Sequence, residues 1–461
     1  MKRLRKKIIL ILYGDIVLCY AALFLTVVTR YIARGPEHFM QAHLVPFTVI
    51  FAVWIFSFAA SGLYEPRLMK NGKIFLYRLL RIMGINTILA ITILYLLPFE
   101  IEPRRNLFLI AGSVTILIFF WRSLFNLLIL RTAVSGVLFI GINKETIALS
   151  DFLLANPQIG HKPVGFVTAD EPASGSLPLS GISTPISHFS LAEYPLSKIA
   201  RDTHPEIAVI SREMKQNKAV VKVLLQAIPL GITTVEFPAF HEMLTGKIPL
   251  SLIEEVWFLE NLIGIKKYSY ELTKRILDIA LVGIVGFLAF LTFPIVAIAI
   301  KLDSNGPIFF RQTRVGAHGT PFELIKYRSM VNGANTISGY KSNGPDTRHT
   351  RIGAFLRTSY LDELPQIINI LRGEMSFIGP RPERPEYVTE LQKKIPFYDM
   401  RLLVPPGITG WAQVNMEDDA SVEDAPKKMQ YDLYYIKNRS FILDLLIALR
   451  TVSAIVRRQG R

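Results

Sequence analysis

Phe287-Leu288-Ala289-Phe290-Leu291-Thr292-Phe293-Pro294-Ile295-Val296-Ala297-Ile298 lies in the middle of an apolar run from Ile276 to Ile300. The run is long enough to cross a bilayer. A simple crossing would put everything after Lys301 on the far side of the membrane, and the flanking charges oppose that. Lys266, Lys267, Lys274 and Arg275 precede the run, while Lys301, Arg311, Arg314, Lys326 and Arg328 follow it. Positively charged flanks belong on the cytoplasmic side. Pro294 also removes a helix hydrogen bond and favours a kink. A helix broken at Pro294, entering one leaflet and turning back, meets both observations. Polar backbone at such a break needs partners, so re-entry is the less common architecture. It is nevertheless the one expected here.

The rest of the composition agrees with a membrane protein. Of 461 residues, 51% are hydrophobic, too many for an ordinary soluble chain. The length suggests about three domains. A net charge of +15 points to anionic partners: nucleic acid, anionic lipid or anionic small substrates. The single cysteine, Cys19, excludes an internal disulfide, and the eight histidines show no metal-ligand spacing.

Four further apolar runs precede the fifth: Ile8 to Val28, Leu44 to Leu63, about Leu76 to Leu97, and Leu107 to Leu130. The first follows Lys2, Arg3, Arg5, Lys6 and Lys7 but is too long for a signal-peptide core and lacks a small-residue cleavage site. Asp15 within it is expected to face other helices. Arg122, in the fourth run, is expected to snorkel toward a helix end. The basic N-terminus and the second loop (Arg67, Lys70, Lys73, Arg78, Arg81) read as cytoplasmic. The first loop (Arg30, Arg34, Glu37) and third loop (Glu100, Glu102, Arg104, Arg105) carry no such excess.

From Ser135 to about Lys267 the chain reads as a soluble domain. Short strands at Val137–Gly141, Gly165–Val167, Ile207–Ile210 and Ile232–Val235 alternate with helices at Lys144–Leu154 and about Lys215–Ile228. That order predicts a parallel sheet of Rossmann type. Only Gly141 of a Gly-x-Gly-x-x-Gly fingerprint is present, and Glu145 would repel an anion. A structural or regulatory domain is expected rather than a cofactor site. Thr168 to Thr184 reads as a loop.

Chemistry concentrates after the fifth run. Arg348, Arg351 and Arg357 lead into Leu361-Asp362-Glu363-Leu364-Pro365-Gln366 and then Ser376-Phe377-Ile378-Gly379-Pro380-Arg381-Pro382. Pro365 fits a first helical turn, so a helix is expected from about Ser359–Asp362 to Leu371, stopped by Gly373. Leu364, Ile367, Ile368 and Leu371 would form its buried face. The bland reading makes Ser359 and Asp362 a capping pair. The arginines on both sides argue for more, since guanidinium groups bind phosphate bidentately. Lys326, Arg351, Arg357, Arg381 and Arg401 are the candidate phosphate or substrate ligands. Adjacent carboxylates on a helix point about 100° apart, which excludes a glycosidase pair facing across a sugar. One nucleophile and one Mg²⁺ ligand is the better division. Asn332 to Thr350 reads as a mobile loop. Trp411 reads as core before base-stacking platform. The tail from Phe441 to Arg458 reads as a surface or core helix with Arg450, Arg457 and Arg458 on a basic face.

Four stretches in order carry a resemblance: Arg311-Gln312-Thr313-Arg314-Val315-Gly316, Leu361 to Gln366, Ser376 to Pro382, and Pro406-Gly407-Ile408-Thr409-Gly410-Trp411-Ala412-Gln413-Val414-Asn415. From about Tyr270 onward the chain resembles the bacterial sugar transferase family, the monotopic phosphoglycosyl transferases. The N-terminal half is similar to the large members. The resemblance implies four transmembrane helices (1–132), a Rossmann-like cytoplasmic domain (133–267), and a re-entrant helix with an α/β, mostly helical catalytic domain (268–461). It implies transfer of a sugar 1-phosphate from a UDP-sugar to undecaprenyl phosphate, with release of UMP. Asp362 would be the nucleophile, Glu363 the Mg²⁺ ligand, Arg357 and Arg381 the family arginines, and Pro294 the helix-breaking proline. Phe293 stands where the family often has serine. The implied setting is the bacterial inner membrane, the catalytic domain facing the cytoplasm, among membrane lipid and without nucleic acid. A homodimer is compatible with this. The implied role is to start exopolysaccharide, capsule or O-antigen assembly. A glycosyltransferase releasing UDP and an inactive membrane scaffold are the alternatives.

Overall fold

The computed structural model describes residues 2–32, 35–64, 72–96, 104–132, 134–169, 176–177, 186–225, 228–253, 255–262, 268–331, 348–416 and 424–456. Most of the 168–184 and 332–350 loops lies outside them, as do the loop charges at Arg34, Arg67, Lys70, Glu100, Glu102, Lys266 and Lys267, and Arg457 and Arg458. The chain forms two compact units, 1–244 and 245–461.

The first unit begins with four long helices: α1 (Lys2–Tyr31), α2 (Pro36–Ala60), α3 (Lys73–Leu96) and α4 (Arg104–Thr132). Each contains a stretch long and apolar enough to cross a membrane. α1 packs on α2 and α4, and α3 packs on the same two. They share a core of Leu23, Phe47, Trp54, Phe58, Leu79, Ile110 and Val114, while Phe24, Phe56, Ile88 and Phe120 point outward. Helices apolar inside and out suit a lipid solvent. Asp15 faces inward as expected. Arg122 does not snorkel: it is buried, and its Nη2 donates to Asp15 Oδ2 at 2.5 Å. Tyr64 donates to the same oxygen at 2.9 Å, and Arg122 Nη1 donates to the Leu63 carbonyl at 2.5 Å. An intramembrane partner outcompetes the distant interface.

The unit continues with β1 (Ser135–Ile140), α5 (Lys144–Ala155), β2 (His161–Thr168), β3 (Ser176–Leu177), β4 (Ile186–Ser190), α6 (Leu196–Thr203), β5 (Pro205–Ile210), α7 (Arg212–Gln216), α8 (Lys218–Leu225), β6 (Thr233–Glu236) and α9 (Phe237–Thr245). The sheet order is β3-β4-β2-β1-β5-β6, parallel except for β3. The single helix expected over 215–228 is two, because Asn217 Oδ1 accepts from Ala219 N and Val220 N and starts a new helix. Asn143 Oδ1 caps α5 by accepting from Thr146 N, and Thr146 Oγ1 accepts from Asn143 N in return. Gly141 is left-handed (φ 103°), and a Cβ there would meet Ser211 Oγ at 2.2 Å.

The second unit contains α10 (Glu255–Leu262), α11 (Tyr268–Asp303), β7 (Phe309–Val315), β8 (Pro321–Tyr327), α12 (Arg351–Thr358), α13 (Ile367–Arg372), β9 (Ser376–Ile378), α14 (Pro385–Lys394), β10 (Gly407–Thr409), α15 (Trp411–Asn415), α16 (Ala425–Asn438) and α17 (Phe441–Val456). Its main core joins Ile248, Phe258 and Leu262 to Tyr398, Trp411, Met429, Leu433 and Ile447.

The helix expected to break at Pro294 does not break there: α11 is 36 residues of helix that continue through Pro294, about 54 Å at 1.5 Å per residue. Apolar surroundings leave helical hydrogen bonds on either side of the proline the favoured course. One stripe touches the unit along its whole length. Lys274 bonds Asp444, Asp278 accepts from Phe377 N, and Val282 joins Ile370 and Phe322. Phe293 stacks on Phe309, Val296 and Ile300 pack with Tyr327 and Leu356, and Asp303 accepts from Ile352 N. The other face exposes Ile276, Ile284, Phe287, Leu291, Ile295, Ile298 and Leu302.

Candidate active site

Asp362 and Glu363 do not open an ordinary helix. α12 ends at Ser359, whose hydroxyl donates to the Phe355 and Leu356 carbonyls, so it does not cap Asp362. Tyr360 then turns left-handed (φ 57°), and Leu361–Gln366 forms a 3₁₀ helix that leads into α13. Gly373 (φ 81°) ends it, as expected. The expected buried face is only partly correct. Ile370 is fully buried against Val282, Phe322 and Leu324, whereas Ile368 and Leu371 are exposed. The 3₁₀ turn rotates the residues that follow relative to a pure α-helix.

Both carboxylates are buried but differently engaged. Glu363 Oε1 accepts from Lys326 Nζ at 2.6 Å and from Arg381 Nη2 at 2.9 Å. Asp362 makes no side-chain hydrogen bond among the described residues and is 7% exposed. Burial pushes the Asp362 carboxyl up to about 6; Lys326 opposes the rise and Glu363 reinforces it. Burial would raise Glu363 too, but Arg381 and Lys326 outweigh it and hold that carboxyl below its usual range. Neighbouring acids whose environments push them apart commonly divide a reaction between them.

Three elements supply the cations. β8 pairs with β7 and carries Lys326. Arg381 follows β9, whose turn packs backbone on backbone against β10: Gly379 N donates to Thr409 O at 2.9 Å, and a Cβ on Gly407 would lie 2.1 Å from Gly379 N. Only glycine permits that approach. Arg357, on the last turn of α12, lies close enough to Asp362 to favour its ionised form. Arg401 does not face the carboxylates. It is buried, donating to Asp432 at 2.9 Å, Tyr398 at 2.6 Å and the Arg381 carbonyl at 2.9 Å, so it fixes the backbone that carries Arg381. Arg351 is exposed beside Asp303. Pro294 lies in α11.

Trp411 is a core residue: its Nε1 donates to Gly246 O at 2.9 Å and it stacks on Tyr434. Arg450 lies over its ring, so the tail helix does not present Arg450 on a solvated basic face. That helix buries Leu443 and Ile447 and exposes Ile442 and Val452. Sequence reading missed Asp278, whose partner Phe377 is 99 residues along the chain. It also missed His349, which lies against Arg357 only 8 residues on but is a lone histidine without a motif around it.

Among the described residues, no cluster of three or more His, Cys, Asp or Glu could hold a metal alone. Both of the bonds to Glu363 are to its Oε1; among the described residues neither its Oε2 nor the carboxylate of Asp362, the preceding residue, has a hydrogen-bond donor. That donor set fits Mg²⁺ brought in with a diphosphate and water, the way this ion is commonly held.

The family model described as bacterial sugar transferase matches residues 269–458. UDP-N-acetylgalactosamine-undecaprenyl-phosphate N-acetylgalactosaminephosphotransferase of Aeromonas hydrophila is 38% identical over 48% of this chain and 52% of its own length. UDP-glucose:undecaprenyl-phosphate glucose-1-phosphate transferase of Xanthomonas campestris pv. campestris is 30% identical over 69% of this chain and 66% of its own. The enzyme of the same name from Caulobacter vibrioides is 38% identical over 41% of this chain and 72% of its own. The chain thus spans between about half and two thirds of the length of the first two relatives. A crystal structure of UDP-D-quinovosamine 4-dehydrogenase from Vibrio fischeri aligns with 25% of this chain and 88% of its own at 14% identity, but its TM-score of 0.19 carries no argument.

Proposed function

This chain belongs to the bacterial sugar transferase family, and from that premise we propose that it moves a sugar 1-phosphate from a UDP-sugar to undecaprenyl phosphate and releases UMP. The observation that carries the mechanism is the unequal engagement of the two acids. Asp362 is ionised at neutral pH, more basic than an ordinary aspartate, and unclamped. Its carboxylate oxygen attacks the sugar-bearing phosphorus. The bond from that phosphorus to the bridging oxygen breaks, and the oxygen leaves with UMP. The aspartyl phospho-sugar then loses its phosphorus to an oxygen of undecaprenyl phosphate, which restores the Asp362 carboxylate. Lys326 and Arg381, which bond Glu363, and Arg357, which favours ionised Asp362, would stabilise the charge that spreads over the phosphoryl group in both steps. Glu363 holds two of these cations in register and, with substrate oxygens, would hold Mg²⁺. Bound there, the ion would neutralise phosphate charge.

The membrane setting follows the same reading. α11 is held to one unit from Lys274 to Asp303, which supports both of its ends lying on one side of the membrane. A re-entrant course bent near Pro294 would satisfy this, with the exposed apolar face in one leaflet. The loop charges favour the cytoplasmic face of the bacterial inner membrane, with α1 to α4 as a transmembrane bundle. There the lipid phosphate and the soluble nucleotide sugar meet at Asp362, at the start of exopolysaccharide, capsule or O-antigen assembly. The test is the nucleotide released from a panel of UDP-sugars with undecaprenyl phosphate. UMP is expected. UDP would replace this reading with a glycosyltransferase, and no nucleotide from any donor would favour a scaffold.

A further inference from the structure

Arg357 lies in the last turn of α12, near enough to Asp362 to favour its ionised form, at a position where a long side chain would ordinarily sample several rotamers. Here it has a fixed neighbour. Arg357 Nη1 lies 2.6 Å from His349 Nε2, and the other ring nitrogen, Nδ1, lies 3.2 Å from the Ser329 carbonyl. A carbonyl only accepts and a guanidinium only donates. The ring therefore carries its proton on Nδ1 and presents Nε2 as an acceptor.

The bridge is anchored at both ends. Ser329 lies two residues beyond β8, the strand that carries Lys326, and Met330 pairs with His349 through the backbone. Thr350 caps α12 by accepting from Gly353 N, and a Cβ on Gly353 would lie 2.0 Å from Ser329 O. There is little slack between the strand end and the helix that carries Arg357.

We propose that His349 is a positioning residue that holds the Arg357 guanidinium, through Nε2, in the orientation that meets the transferring phosphoryl group. This rests on the reading of Arg357 as a phosphate ligand. The chemistry of the partner matters. A carboxylate at position 349 would orient Arg357 equally well but cancel its charge. A neutral imidazole takes one donor and leaves the positive charge and the remaining donors for phosphate.

The experiment compares UMP release by the full chain in membranes for wild type, His349→Ala, His349→Gln, Arg357→Ala and the His349→Ala/Arg357→Ala double variant. His349→Ala is expected to lower kcat/KM about tenfold, the scale of one hydrogen bond to a charged group. His349→Gln, which restores a neutral acceptor, is expected to recover most of the loss. The double variant is expected to be no worse than Arg357→Ala alone, because a residue acting only through Arg357 has nothing left to act on. Equal losses from His349→Ala with and without Arg357 would overturn the proposal, as would a glutamine variant no better than alanine. An impaired Arg357→Ala beside a fully active His349→Ala would overturn it while leaving the phosphate role of Arg357 standing. A fully active Arg357→Ala would overturn both.

Discussion

Asp15 in the first unit and Asp362 in the second are both almost wholly removed from water, and both have cations close by. Asp15 is fully engaged: Arg122 and Tyr64 donate to it, and Arg122 in turn holds the Leu63 carbonyl. Asp362 has its cations drawn off by its neighbour, since Lys326 and Arg381 both donate to Glu363. Proximity to arginine therefore does not separate a structural acid from a reactive one. The hydrogen bonds do. A satisfied acid ties helices together, and an unsatisfied one is left to meet a substrate.

Breaking each site should give opposite signatures. The largest effect is expected from Asp362→Asn, which should lower transfer by roughly 10⁴-fold or more, as loss of a nucleophile does. Its melting temperature should hold or rise. Burial raises the folded-state pKa above the unfolded one, so ionised Asp362 costs stability at neutral pH, and that cost shrinks as pH falls below about 6 and is gone below the ordinary aspartate pKa of about 4. Arg122→Met should do the reverse. It strands a buried charge and should destabilise the first unit by roughly 3–5 kcal/mol, while the protein that stays folded keeps its turnover number. Adding Asp15→Leu should restore much of that stability, as thermal unfolding in detergent would show. The smallest effect is the pH limb. kcat/KM should fall about tenfold per pH unit below about 6, as Asp362 takes up its proton. A profile flat down to pH 5 would count against Asp362 as the titrating nucleophile.

The two units were not equally legible. The four helices of the first could be read from length and apolarity alone, and the parallel sheet from strands alternating with helices. Those signals are local. Arg122 was misread because its partner is 107 residues away, and a lone arginine in an apolar run gives no hint of it. Likewise, Arg401 looked like a substrate ligand until Asp432 and Tyr398 claimed it. The Asp362–Glu363 pair and the arginines around it stood out because they are dense in sequence. Which acid stays unclamped depends on Lys326 and Arg381, brought in by separate elements. The turn at Tyr360 was also hidden, since a tyrosine at positive φ follows from tertiary context rather than propensity.

The central claim is that Asp362 is left open to form a bond with phosphorus, and the most direct measurement is UMP release without any lipid acceptor. Mixed with a competent UDP-sugar alone, the wild-type chain should release UMP in a burst approaching one equivalent per active site and gain the mass of a sugar phosphate on Asp362, while Asp362→Asn does neither. UMP that appears only after undecaprenyl phosphate is added, with no adduct on Asp362, would contradict the account.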